Sequence, residues 1–272
     1  MNVRRMFTRF VAVAFTALLA VSSVNAQSNS SPTLKRIAET ETLRVGMTGS
    51  QAPFNVKNRA GKMIGLDVDV ASALALSMGV KLEIVEMPFS DLLPALEAGK
   101  VDLVISGMTA TLQRNTRVPF VGPYYISGAS ILTTSDKLAQ AQSAEEVNAE
   151  DVSIAVLKGS TSEEFARALL GKANIVPTET HQEAIDKLAA GEVGAVVADA
   201  PTVALSALRN PEKGFVVSEP LTLEPIGIAV APGDPLLVNL VSNYTEALAA
   251  TGVMEALIRK WFENAAWLAQ VP

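Results

Sequence analysis

The chain has 272 residues, 49% hydrophobic and 18% charged, with no cysteine. That composition is globular and argues against disorder, and it excludes a disulfide framework, a cysteine–zinc site and a thiol nucleophile. The formal charge of −6, with no basic run, does not suit nucleic acid, whose affinity comes largely from Lys and Arg meeting phosphates.

Residues 1–26 read as a secretory signal peptide. Arg4, Arg5 and Arg9 precede an apolar run from Phe10 to Val21, and Val24-Asn25-Ala26 is a small-residue cleavage pattern. The run is short for a membrane span. The twin arginines near Phe7 faintly resemble a twin-arginine signal, but the rest of that motif is missing. Removing this segment takes away three arginines and no acids, leaving 19 basic and 28 acidic side chains and a charge of −9. Without a cysteine for N-terminal lipid attachment, the expectation is an exported, untethered protein in the bacterial periplasm.

After a polar lead-in with a turn or two of helix between Ser31 and Thr42, Leu43 to Met47 alternates as a first strand. A Gly-, Ser- and Asn-rich loop follows, with a hairpin turn expected at Gly61. Val68, Ala71, Leu74, Ala75 and Met78 then keep helical spacing up to Gly79. Lys81 to Val85 is a second strand. A helix capped by Ser90 or Asp91 runs to Gly99.

Val101 to Ile105 is a buried strand with one acid, Asp102. It breaks into Ser106, Gly107 and Thr109, and Thr111 then caps a helix start carrying Arg114. Such a strand, turn and helix start can hold an anion, and Arg114 can grip a carboxylate with two prongs. On this stretch alone, an ordinary strand–turn–helix with a solvated arginine is the simpler reading. The βαβαβ rhythm predicts a parallel sheet with helices on its faces.

Phe120 to Thr134, interrupted by Gly122, Pro123 and Gly128, reads as a crossover. Lys137 to Glu150 is polar, with a short helix near Glu145. A second α/β series then runs through a strand at Val152 to Val156, a capped helix after Ser160 and Thr161, and a strand at Asn174 to Val176. A capping box at Thr180 to Glu183 opens the next helix, and a strand at Val193 to Ala198 ends at Asp199 before Pro201. Pro220 and Pro225 bracket a second crossover, Ile226 to Val230 is a strand, and two helices close the chain.

The pattern predicts an α/β protein of two lobes, two open sheets joined by a two-strand hinge. Residues 27–128 and 222–272 form one lobe, and residues 129–221 form the inserted one. Ligands in open α/β sheets bind beyond the carboxyl ends of strands. Four such ends carry chemistry: Thr48 to Phe54, Ser106 to Arg114, Leu157 to Ser162, and Asp199. Arg114 and Asp199 facing each other suit a zwitterion, an α-amino acid, with Gly107 allowing close backbone approach and Thr109, Ser160 and Thr161 donating or accepting. Asp199, Ser160 and Thr161 also read as helix caps, and Phe89 as core. His181, the single histidine, is expected to be exposed or locally capping. Neither it nor the Asp67-x-Asp69 pair has the partners of a metal site.

Taken in order, these residues resemble the periplasmic polar amino acid-binding proteins of ABC importers, family 3 solute-binding proteins with the type II periplasmic binding fold. The resemblance rests on Ala52-Pro53-Phe54, Gly65 to Ala71, Pro88 to Leu96 and Gly99 to Leu103. It extends through Ser106 to Thr109 with Arg114, Pro123-Tyr124-Tyr125, Gly159-Ser160-Thr161 and Val197-Ala198-Asp199. It implies Arg114, Thr109 and the Gly107 backbone on the ligand carboxylate, a backbone donor at Thr161, Asp199 on the ammonium, and Phe89 in the side-chain pocket. It further implies a monomer that needs no cofactor, is not an enzyme, and partners the inner-membrane permease subunits.

Thr48 stands where many relatives have Asp, Gln51 where they have an aromatic, and Leu157 where some have a polar residue. Thr48, Gln51, Phe89 and Leu157 are placed to select the side chain, and because the pocket lacks an evident carboxylate for a cationic one, a neutral polar or apolar ligand is expected over arginine or lysine. The same two-lobed scaffold also resembles periplasmic cyclohexadienyl dehydratases, and a free ligand-sensing module is a third reading.

Overall fold

A computed structural model describes residues 31–140 and 144–271, so the expected signal peptide lies outside the described residues. Two five-stranded sheets dominate it. The first has β1 (Thr42–Met47) between β5 (Lys81–Glu86) and β6 (Leu103–Val104), parallel to both. β13 (Glu224–Val230) joins β6 antiparallel, and β7 (Phe120–Ser127) closes the edge beside it. The second sheet runs β10 (Asn174–Thr178), β9 (Ser153–Leu157), β11 (Ala195–Asp199), β8 (Ala129–Thr133), β12 (Val216–Val217). Its first three strands are parallel to one another, and β8 runs antiparallel to both of its neighbours, β11 and β12. The chain leaves the first sheet after Ser127, enters the second at Ala129, and returns between Val217 and Glu224.

The predicted βαβαβ unit is present, and its strands are apolar because both faces are covered. Val45, Leu103 and Ile105 are fully buried, packed beneath Val70, Leu74 and the C-terminal helix residues Leu237 and Val241. Three expectations are corrected. Phe120 to Ser127 is one continuous strand, because it lies at a sheet edge where Gly122 and Pro123 are tolerated. The helix Phe89–Glu97 begins after Pro88, which places Ser90 and Asp91 inside its first turn and not at the cap. The loop after β1 folds into a small antiparallel ribbon, β2 (Ser50–Gln51), β3 (Asn55–Lys57) and β4 (Met63–Ile64), turning at Gly61 as expected.

Capping follows the sequence elsewhere. Ser160 and Thr180 accept the Glu163 and Glu183 N–H groups. Glu163 and Glu183 reach back to the Gly159 and Glu179 N–H groups, one residue earlier than in the usual box. At Gly65, which leads the helix Leu66–Met78 at φ 136°, a Cβ would lie 2.1 Å from the Phe54 carbonyl oxygen, so only glycine fits.

The C-terminus clamps the first lobe. Phe262 stacks on Tyr125 with centroids 4.5 Å apart and meets Phe54 edge-on at 5.3 Å, and the Arg59 N–H donates to the Gln270 carbonyl. No helix among the described residues is long and apolar enough to cross a membrane.

Asp102, the one acid in the β6 run, is fully buried. It accepts from the Arg44 N–H at 2.8 Å, from Arg44 Nη2 at 2.7 Å, and from Arg36. It thereby ties the first helix, Pro32–Thr40, and β1 to β6. Asp102→Asn keeps the shape but removes the charge both arginines face. It is expected to cost about 2–4 kcal/mol in urea unfolding, toward the lower side of a broken buried pair because the arginines keep some solvent contact.

Candidate functional site

The carboxyl ends of β1, β6, β9 and β11 face one another across the gap between the sheets. Arg114 is the centre of the contact. Arg114 is 6% exposed, and its guanidinium donates to the Thr109 carbonyl at 2.8 Å and, across the gap, to the Gly159 carbonyl at 3.0 Å. It lies 5.7 Å from the Phe89 ring centroid, a cation–π arrangement. Burial pulls its pKa down, opposed by the negative charges of Glu164, Glu224 and Asp199. Thr111 accepts the Arg114 N–H, as the predicted cap should. Beside Arg114 a cavity of about 240 Å³ is lined by Phe89, Met108, Gly159 and Glu164 among others.

Asp199 ends β11, half-buried, and accepts from Ser127 Oγ and Gln51 Nε2, each at 3.0 Å. It makes no side-chain cap to the helix that follows, so the capping reading falls away. Burial and the charge of Glu224 push its pKa up to about 7.

The other expected residues fall into two groups. Gln51, Gly107, Thr109 and Thr161 meet in the gap. The Gln51 carboxamide covers Gly107 so closely that a Cβ there would lie 2.6 Å from it, and the Thr109 and Thr161 hydroxyls are 3.3 Å apart. Thr48, Ser106, Leu157 and Ser160 support from behind. Thr48 donates to Asn55, and Ser106 accepts from the Thr48 and Asn55 nitrogens. Ser160 bonds the Leu157 carbonyl and caps its helix. Leu157 packs with Phe89, Leu92 and Met108 of the opposite lobe.

Sequence reasoning missed two contributors. Glu224, 7% exposed at the start of β13, accepts from Thr109 and Thr161, each at 2.6 Å. Asp67, read as a helix start, is buried beneath Gly107, accepting from Asn55 and from Tyr124 Oη at 2.7 Å each. Burial raises its pKa to about 6 against those bonds and the Gly107 N–H. The usable signal was a lone acid leading an apolar run, as at Glu224 and Asp102. Glu224 adds a further carboxylate to the cleft, at the Thr109 and Thr161 hydroxyls. Asp69, the other acid of the pair, holds Lys260 and Trp261. Among the described residues no cluster of His, Asp or Glu could hold a metal.

His181 corrects another expectation. It is 4% exposed, and its Nε2 has no partner. Thr180 does the capping, while the helix His181–Ala189 packs on β2 across the gap, which closes solvent off from its first residue.

The fold is that of the two-lobed periplasmic binding proteins, with polar groups converging between the turn that leads to Arg114 and an opposed carboxylate. Over residues 43–264 the sequence matches the bacterial extracellular solute-binding proteins, family 3, and the chain belongs to that family. It is 29% identical to a cyclohexadienyl dehydratase of Pseudomonas aeruginosa, with 93% of each chain covered. It is 32% identical to an L-arginine-binding protein of the same organism, covering 84% of this chain and 91% of that one. The solved ancestral amino acid-binding protein described as a precursor of cyclohexadienyl dehydratase superposes with a TM-score of 0.78. It is 39% identical, covering 85% of this chain and 99% of that one.

Burial lowers the His181 pKa from 6.5 to about 4. Between those values the unfolded chain binds the proton and the folded one does not. The stabilising difference is therefore complete above pH 6.5 and is lost as pH falls toward 4, on the order of 3 kcal/mol. Urea unfolding of wild type and His181→Gln across pH 4–7 should show that extra decline in wild type alone.

Proposed function

We propose that this protein is the periplasmic substrate-binding component of an ABC importer, taking an L-α-amino acid between its lobes and delivering it to an inner-membrane permease. The lobes divide as residues 27–128 with 222–272, and 129–221. The observation that carries the reading is the opposition of a buried guanidinium, Arg114, and a carboxylate, Asp199, at facing strand ends of different sheets. Arg114 with Thr109 takes the ligand carboxylate, and Asp199 takes the ammonium. The ligand thus bonds both lobes at once, and closure around it favours the state a permease reads. Amino acid-binding proteins among the relatives support this.

Asp199 sets a pH dependence. With its pKa up at about 7, it is half protonated at neutral pH, whereas an ammonium ligand requires the carboxylate. Binding therefore releases a proton. Calorimetry should show affinity rising from pH 6 to 8, falling roughly tenfold per unit below 7, with a heat that depends on the buffer's ionisation enthalpy. Arg114→Ala should abolish binding, since it leaves the ligand carboxylate buried and unpaired.

The second reading is a dehydratase. It is favoured by the full-length similarity to cyclohexadienyl dehydratase and by Asp199, an acid whose pKa near neutrality suits proton transfer. Incubation with prephenate or arogenate distinguishes the two. The binding reading expects no phenylpyruvate or phenylalanine, and turnover lost in Asp199→Asn would replace it.

A further inference from the structure

Both poles of the clamp already hold a group from the protein itself. A hydroxyl has one proton to donate. Thr109, from the turn after β6, and Thr161, from the helix start after β9, both direct theirs to the same Glu224 oxygen, each at 2.6 Å. Thr222 donates to the other oxygen at 3.1 Å. Glu224 thus sits at its donors as a ligand carboxylate would, on the strand by which the chain returns from the second sheet to the first.

At the opposite pole, Gln51 Nε2 donates to Asp199 as a ligand ammonium would. Gln51 is 1% exposed, its carboxamide lies over Gly107, and its Oε1 is buried without a partner. A buried acceptor left unsatisfied is costly, so Gln51 is a poorer occupant of this place than a ligand whose groups are all matched. Each of the two side chains joins groups from different sheets: Glu224 links Thr109 to Thr161, and Gln51 links β2 to the end of β11.

We infer that Glu224 and Gln51 are internal ligands of the cleft, a carboxylate and an N–H donor that hold the lobes together and that an incoming amino acid must displace. The inference rests on the amino acid-binding reading for the displacement step alone; the lobe-to-lobe latch does not require it. Two residues outside the Arg114–Asp199 pair then set the affinity. Glu224 opposes a ligand carboxylate by like charge and by competition for the two hydroxyl protons, and Gln51 competes for Asp199.

Small-angle scattering of purified, ligand-free wild type, Glu224→Gln, Gln51→Ala and the double variant tests the latch, with circular dichroism melts confirming that each is folded. Calorimetry with L-arginine and with L-glutamine tests displacement. The expected result is a larger radius of gyration in the double variant, with each single variant binding whichever probe wild type binds roughly tenfold tighter or more. Unchanged radii in folded variants overturn the inference, and so does opening with equal or weaker binding of the probe. Opening of the variants with neither probe bound by any protein keeps the latch and removes the displacement step. Failure of the full set of amino acids would then fall on the amino acid-binding reading.

Discussion

A buried guanidinium is the constraint around which this protein is arranged. Arg114 cannot lose its proton in any ordinary environment, so its charge must be met wherever it is placed. Two carbonyls, one from each lobe, take its N–H groups. The Phe89 ring lies 5.7 Å away, and three carboxylates at longer range offset the loss of water. The turn at Ser106 to Thr109, the cap at Thr111 and the Gly159 turn all serve to bring those partners into place. A charge satisfied from both sides of a gap makes the gap itself part of the fold.

Beneath that cation lies a second polar layer, and the two are coupled through Gly107. Asn55, Asp67, Tyr124 and Ser106 form a chain of hydrogen bonds among buried groups. Such a network is rigid when every member is matched. It fixes the height of the Gly107 backbone, and with it the position of whatever lies above. The helix that supplies Asp67 begins only because Gly65 leaves room for the Phe54 carbonyl. The backbone requirement at one glycine is thus transmitted to the floor of the site.

Much of this was legible in the sequence. The strand at Leu103–Val104 within the Val101 to Ile105 run, the Thr111 cap, the second α/β series and the placing of Arg114 and Asp199 on facing sides of the gap follow from period, caps and strand ends. The antiparallel strands were harder: β7 contains a proline and a glycine that look like breaks until its edge position is known. Glu224 was hidden for a related reason. Its two partners lie in distant segments, and nothing in the local pattern of Leu223-Glu224-Pro225 says that hydroxyls from two lobes converge on it. His181 looked like a surface residue because a helix start usually is one, and its burial depends on a ribbon from the other lobe.

The path of the chain carries a kinetic consequence. Ala229 pairs with Val104, Ile226 with Tyr125, and the Gln270 carbonyl with Arg59, so the first sheet and its lobe are completed by the segment from Glu224 onward. The second sheet uses only the stretch from Ala129 to Val217. Contacts between distant segments form slowly, because the entropy of loop closure must be overcome first. The inserted lobe is therefore free to fold on its own schedule, while the discontinuous lobe waits for its C-terminal strand and helices. Until they arrive, β6 presents an unpaired edge, the element most exposed to wrong partners.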